Sequence, residues 1–199
     1  MKASPLTEET AQAILDAAWQ LICKRGRVDV GIADIARAAG VTRQSVYLGY
    51  GNRVGLLTAM ARNADAKSGH SQRMRDISQG DGADAQALLD FVEAWLAHLP
   101  EIYPVGVLLS AAAVVDAEAR AVFNDRMVGS LHAAFLRICK RLEGARALAR
   151  DVSATDAADI CWSLTHIEAW RQLVIERGWK PAEFVVNRKS LIRAAVLRV

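Results

Sequence analysis

The sequence predicts an all-α protein, with a three-helix unit at its N-terminus and a longer helical region behind it. Three observations carry this expectation. Apolar residues recur at spacings of three and four along most of the 199-residue chain. Ala, Leu, Arg and Glu dominate, and the alternation of β-branched residues that marks a strand is absent. Hydrophobic residues make up 52% of the sequence, enough for a sizeable core and too many for a disordered tail.

The elements follow in order. Ile14, Ala17, Ala18, Leu21 and Ile22 form one face of a first helix. Thr7 suits its N-cap and Glu8 and Glu9 its first turn, while Lys24, Arg25 and Gly26 suit its close. A short helical pair spans 32–39 and 42–48, joined at Gly40 and Val41. A further helix begins near Asn52 with Leu56, Leu57 and Met60, and its polar continuation over 62–76 reads as solvated or frayed. The run Ser78-Gln79-Gly80-Asp81-Gly82 is a break, so the functional boundary falls between 61 and 81. We expect a domain over 1–60, with the helix from about 52 as the link, and a second over 61–199.

In the second region a helix over 84–98 carries Leu88, Leu89, Val92, Trp95 and Leu96 and should end at Pro100. A short apolar helix lies near 104–114, and a long one over 116–143 carries a stripe from Phe123 to Leu142. The segment 155–177 is apolar on more than one face, Gly178 closes it, and Pro181 opens a last helix. A helix apolar all round needs cover on both sides, and in a chain this small the second cover can be a second subunit.

Charge is uneven. Residues 1–75 hold eleven Lys/Arg and six Asp/Glu, so a basic first third precedes a slightly acidic remainder. That pattern suits a polyanion-binding head on a body with another task. The longest apolar stretch, roughly 102–115, is broken by Pro104 and Gly106 and falls short of the ~20 residues of a membrane helix. Met1 to Pro5 leads into Glu8 and Glu9 rather than into an apolar signal core. The expectation is therefore a cytoplasmic protein without a membrane partner. Cys23, Cys139 and Cys161 are odd in number and form no CxxC, which fits reduced thiols in the core.

The motif that carries function is Ile35-Ala36-Arg37-Ala38-Ala39-Gly40-Val41-Thr42-Arg43-Gln44-Ser45-Val46-Tyr47. Two helices joined by a short Gly-containing turn make a helix-turn-helix. Ala36 and Ala39 are small enough for close helix approach, and Ile35, Val41 and Val46 supply the core of the unit. Thr42 can cap the second helix, whose free N–H groups then face a phosphate. Arg43, Gln44 and Ser45 fall on the first turn, the part of a recognition helix that meets base edges. Arg suits guanine and Gln suits adenine in the major groove, and the Tyr47 hydroxyl can reach the backbone.

Here the sequence resembles the TetR family of bacterial transcription regulators. The resemblance rests on Ile14-Leu15-Asp16-Ala17-Ala18, Gly26, the run from Ile35 to Tyr47, Tyr50, Asn52-Arg53 and Leu56-Leu57. It covers about residues 14–60 with the family's spacing throughout, and beyond them only length and helicity agree. It implies that Thr42, Arg43, Gln44, Ser45, Tyr47 and Arg53 contact DNA, with Arg53 replacing the family's usual phosphate-binding Lys. It also implies a homodimer on a palindromic operator, built by the last two long helices, and a C-terminal site for a small-molecule effector. Five positions depart from the family habit: Gly31 for Thr, Leu48 and Gly49 for polar or aromatic phosphate contacts, Tyr50 for Phe, and Val54 for an acidic residue.

Trp95, Tyr103, Phe123, Met127, Trp162, His166 and Trp170 are candidates to line an effector pocket, since such sites combine apolar walls with few polar groups. Each also fits as an ordinary core or interface residue. Arg171 interrupts an apolar stripe and would need a carboxylate, from a ligand or a neighbouring helix, or a salt bridge at a dimer rim. His166 and Glu168 point to different faces of a helix, so neither a metal site nor a cofactor is expected. A phosphate loop, a GxSxG elbow and an activated cysteine are not found, which argues against an enzyme. The reading is a DNA-binding regulator, most simply a repressor released by a lipophilic or aromatic ligand. The alternative is a regulator whose C-terminal region binds a protein partner or no effector.

Overall fold

The computed structural model describes residues 6–24 and 29–198, all helical apart from short connections. Gly26, expected to close the first helix, lies outside the described residues. The chain divides into two compact units, Met1–Lys67 with Glu101–Phe123 and Ser68–Pro100 with Asn124–Val199.

In the first unit α1 (Glu8–Trp19) starts where the Thr7 hydroxyl accepts the Thr10 amide, and it runs on as π-helical turns over Gln20–Lys24. The short α2 (Ile32–Ala38) follows Gly31, whose amide donates to Asp34 Oδ2 at 3.2 Å. That carboxylate satisfies the N-cap amide, while the Asp34 amide, which a capping hydroxyl would take, donates to the Gly31 carbonyl at 3.1 Å. The chain then leaves α2 through Gly40 at φ +68°. Val41 N–H donates to Ala36 O and Gly40 N–H to Arg37 O, the paired bonds of a Schellman turn. Next come α3 (Arg43–Tyr50) and α4 (Arg53–Lys67). A Cβ at position 55 would sit 2.0 Å from the Tyr50 carbonyl, so only glycine lets α4 pass this close to the end of α3. Ile14, Ile22, Ile35, Val46, Leu56 and Met60 close into one apolar cluster, joined by Val105, Leu109 and Ala119 from the segment Glu101–Phe123.

The polar stretch after Met60 does not fray. It stays helical to Lys67, and Ser68 then opens α5 (Gly69–Gln79) by accepting the His70 amide.

The longest helix, α6 (Ala85–Ala113), corrects two expectations. It neither ends at Pro100 nor restarts near Pro104, but runs unbroken through both. Each proline removes one helical amide at about 3 kcal/mol. Against this stand Leu96, Leu99, Val105 and Leu109, all buried, each contributing about 1.5–3 kcal/mol. Burial therefore outweighs the local penalty. The unbroken helix is also long and apolar enough, by length and composition, to cross a membrane, which the broken reading had not expected. It supplies core side chains to both units, residues up to Pro100 to one and those from Glu101 to the other.

The expected helix over 116–143 is α7 (Ala117–Asn124), a π-helical segment Asp125–His132 and α8 (Ala133–Gly144). The expected helix over 155–177 is broken as well. After α9 (Ala154–Leu164), His166 is extended at ψ 151°, and α10 (Ile167–Trp170) and π-helical turns Arg171–Glu176 follow. Pro181 opens α11 (Pro181–Val196).

The second unit packs Phe91 edge-on against Phe135, with ring centroids 4.9 Å apart, and Trp170 against Phe184 at 5.3 Å. Arg141 on α8 donates to the carbonyls of Ile77, Ser78 and Gly82 at 2.9–3.1 Å. One guanidinium thus closes the end of α5 and the turn after it, a cation at a helix C-terminus.

Candidate nucleic-acid interface

α3 is placed by one buried residue and two bonds. Val46 is 1% exposed and fixes the helix by its inner face. At the N-terminal end the Thr42 hydroxyl accepts the Ser45 amide at 3.0 Å and lies 2.9 Å from the Ser45 hydroxyl. At the other end the Tyr50 hydroxyl donates to the Ala11 carbonyl of α1 at 2.8 Å, and burial raises its pKa. The family's phenylalanine could not make that bond.

Between these anchors Arg43, Gln44, Tyr47 and Leu48 stand exposed on one side of the helix. Of the six DNA-contact candidates, five therefore lie on α3 or at its cap: Thr42 and Ser45 form the capped end, and Arg43, Gln44 and Tyr47 its outer face. Arg53 lies elsewhere. It is half-buried at the start of α4 and donates through Nη1 to the Val30 carbonyl, just ahead of α2. This bond joins the two helix starts. Asn52 beside it accepts the Gly55 amide at 2.8 Å and reaches Glu118 of α7 at 3.4 Å. No local pattern announced the bonds of Arg53 with Val30, Asn52 with Glu118 and Tyr50 with Ala11, because these partners lie far off in sequence.

The seven effector candidates fall in both units. Tyr103 and Phe123 belong to the first, and Trp95, Met127, Trp162, His166 and Trp170 to the second. Trp95 is buried and donates its indole N–H to the Thr165 carbonyl at 2.9 Å, at the break between α9 and α10. Trp170 is buried against Phe184. Trp162 is half-buried and donates to the Met127 carbonyl at 2.7 Å within the π-helical segment, where the register departs from that of an α-helix. His166 stacks edge-on against Trp162 at 5.0 Å, and its Nδ1 accepts the Glu168 amide. Burial lowers its pKa, against a smaller opposing pull from Glu168. His132 also meets Trp162 edge-on, at 6.1 Å, and pairs with Asp159 at 2.7 Å. Arg171 finds its carboxylates locally, on Glu168 and Glu176. An open groove between α6 and α11, lined by Leu89, Glu93, Ala97, Val185, Val186 and Lys189, includes none of the seven.

Cys139 and Cys161 are buried and Cys23 half-buried. Burial pushes the Cys23 thiol up to about 12, and contact with Cys139 followed by burial raises that of Cys161. Among the described residues no group of three or more His, Cys, Asp or Glu could hold a metal ion.

An all-α chain with a capped helix-turn-helix in its first third and a helical region behind it defines a class of DNA-binding regulator fold. The comparisons narrow that class. Residues 14–60 match the profile of the bacterial regulatory proteins of the tetR family, and the head is of that family's type. No match to a curated protein was found. The fold of the whole chain is that of solved tetR-type structures. A protein from Saccharomonospora viridis in complex with choline is 20% identical, with TM-score 0.79, over 97% of this chain and 100% of that one. The complex of SmeT with triclosan is 15% identical, with TM-score 0.75, over 96% and 93%. SmeT is the repressor of a Stenotrophomonas maltophilia multidrug efflux pump. NalD, the secondary repressor of a Pseudomonas aeruginosa efflux pump, is 22% identical, with TM-score 0.68, over 96% and 97%.

Proposed function

We propose that the chain is a sequence-specific DNA-binding transcriptional repressor, acting as a homodimer on a palindromic operator in the cytoplasm and released by a small lipophilic or aromatic ligand. The observation that carries the reading is the outer face of α3. A basic and an amide side chain, Arg43 and Gln44, stand exposed beside a capped helix start, with Gln44 opposite buried Val46. Arg43 and Gln44 read base edges, Thr42, Ser45 and Tyr47 meet phosphate and base at the groove edge, and Arg53 meets phosphate. DNA binding occupies the head over 1–60, and effector binding and dimerisation the region over 61–199.

Dimerisation is supported by Ile175, Val186 and Leu191, large apolar side chains left exposed on the last helical segments. A ligand of lipophilic or aromatic type is supported by the half-buried Trp162 and His166, and by neighbours of this fold solved with choline and with triclosan. The protein performs no chemistry on the ligand in this reading.

The test is selection of bound duplexes from a random-sequence pool at two salt concentrations. A two-fold symmetric sequence is the expected result. Weak binding, limited by salt and without symmetry, would overturn sequence-specific recognition by a dimer and shift weight to a region that binds a protein partner.

A further inference from the structure

We propose that Leu48 is a specificity-determining residue that packs on the C5-methyl group of a thymine in the operator. The inference rests on the DNA-binding reading and deepens it.

Leu48 is 49% exposed on α3, although it is a large apolar residue on the face that also presents Arg43 and Gln44. A single exposed leucine is ordinary on a protein surface. Its register on this helix is not. Residues of an α-helix follow one another at about 100°, so positions two before and two after a given residue both lie about 200° away. Gln44 and Leu48 are those two positions relative to buried Val46. They straddle the direction that points straight away from the head, one turn apart. Arg43 and Tyr47 lie to one side of them.

Leu6 approaches one flank of this face: position 49 is an exposed glycine, and a Cβ there would meet the Leu6 side chain at 3.0 Å. On the other side the Tyr50 hydroxyl is held by the Ala11 carbonyl. The large side chains on this open surface are Arg43, Gln44, Tyr47 and Leu48, with Leu48 at its edge beside Gln44.

A leucine donates no hydrogen bond and cannot hold a phosphate. Among the base edges in the major groove, the apolar feature is the thymine methyl. A leucine on this face therefore fits a base edge and not a phosphate. A thymine should sit next to the base read by Gln44, at symmetric positions in the two half-sites.

The test uses the full-length chain and the duplex it selects. Each thymine is replaced in turn by deoxyuridine, symmetrically in both half-sites, which removes only the methyl. Affinity is measured for the unaltered chain, for Leu48→Ala and for Leu48→Gln. One symmetric thymine pair should cost the unaltered chain about four-fold per methyl, ~15-fold for the pair. Leu48→Ala and Leu48→Gln should bind the thymine and deoxyuridine duplexes alike at that position. Both are exposed substitutions in a helix, and an unchanged unfolding midpoint confirms that the head is intact. Two outcomes overturn the proposal alone: a selected palindrome with no methyl-sensitive position, or a sensitivity that persists in both variants. If Leu48 covers a deoxyribose instead, Leu48→Ala weakens thymine and deoxyuridine duplexes equally, which also overturns it. If no duplex is selected, the DNA-binding reading falls and the Leu48 assignment with it.

Discussion

Replacing Tyr50 by phenylalanine removes one oxygen and keeps the ring that packs on the head's core. The lost bond runs 2.8 Å from the hydroxyl to the Ala11 carbonyl. Two features set its magnitude. Donor and acceptor are both neutral, so the net worth of the bond is about 1 kcal/mol. The acceptor also lies inside α1, where the helix supplies it with an amide, so the substitution orphans no carbonyl. The larger penalty for an unsatisfied buried group does not apply. Tyr50→Phe should therefore lower the unfolding free energy at neutral pH by about 1 kcal/mol and the melting temperature by roughly 2–4 °C. Denaturant unfolding followed by circular dichroism measures the first and a thermal scan the second. The pH dependence supplies an independent check. The Tyr50 pKa is raised in the fold by burial, so its stabilisation is complete below the ordinary tyrosine value and fades as pH rises through the folded value. The difference between the two proteins should shrink in alkaline solution. No loss at neutral pH would mean that water replaces Ala11 at no cost. A loss of ~3 kcal/mol would mean that the hydroxyl holds α3 and α1 together cooperatively. Either result refutes the reasoning.

Arg141→Ala removes the donors to Ile77, Ser78 and Gly82, and should cost about 2 kcal/mol and speed proteolysis within 77–84; unchanged cleavage would show that the turn holds itself. Arg53→Ala should lower stability by about 1 kcal/mol through the Val30 carbonyl and reduce the salt slope of operator binding by about one. An unchanged slope would confine Arg53 to its bond with Val30. His166 should titrate below the ordinary imidazole value in NMR spectra, because burial opposes its charge. The stability it contributes is present above the unfolded value and is lost as pH falls through the folded one. His166→Gln should lessen that acid-side loss, and an identical profile in the variant would refute the assignment.

The head was legible because its signals are local. Thr42 caps the helix it precedes, Gly40 turns the chain where only glycine is comfortable, and Val46 falls on the inner face by spacing alone. The body was less so. Pro100 and Pro104 are strong local breakers, yet α6 runs through both, since the residues that outweigh them act through distant packing. The break at Thr165 and His166 has neither Gly nor Pro. It is held by the Trp95 indole on the Thr165 carbonyl and by His166 Nδ1 on the Glu168 amide, one partner 70 residues away and the other next door but one. Arg171 was legible as a residue that needs carboxylates, though not as one that takes both from its own segment.

Release from DNA by a ligand, as proposed, requires the ligand to prefer one arrangement of the chain over another. A hundred-fold change in operator affinity corresponds to about 2.7 kcal/mol of that preference. The structure limits where such a preference can travel. Helix α6 is one continuous element shared by both units, and its residues up to Pro100 stand with Trp95 in the second. Its continuation places Val105 and Leu109 in the apolar cluster that also holds Val46 and Leu56. Beyond it, Glu118 of α7 reaches Asn52, the residue that caps the start of α4 beside α3. Two prolines within α6 remove two helical bonds, so the stretch around them deforms more readily than an uninterrupted helix of this length. If the proposed release by a ligand holds, the helix that most clearly defied the local sequence signals is also the one that would carry it.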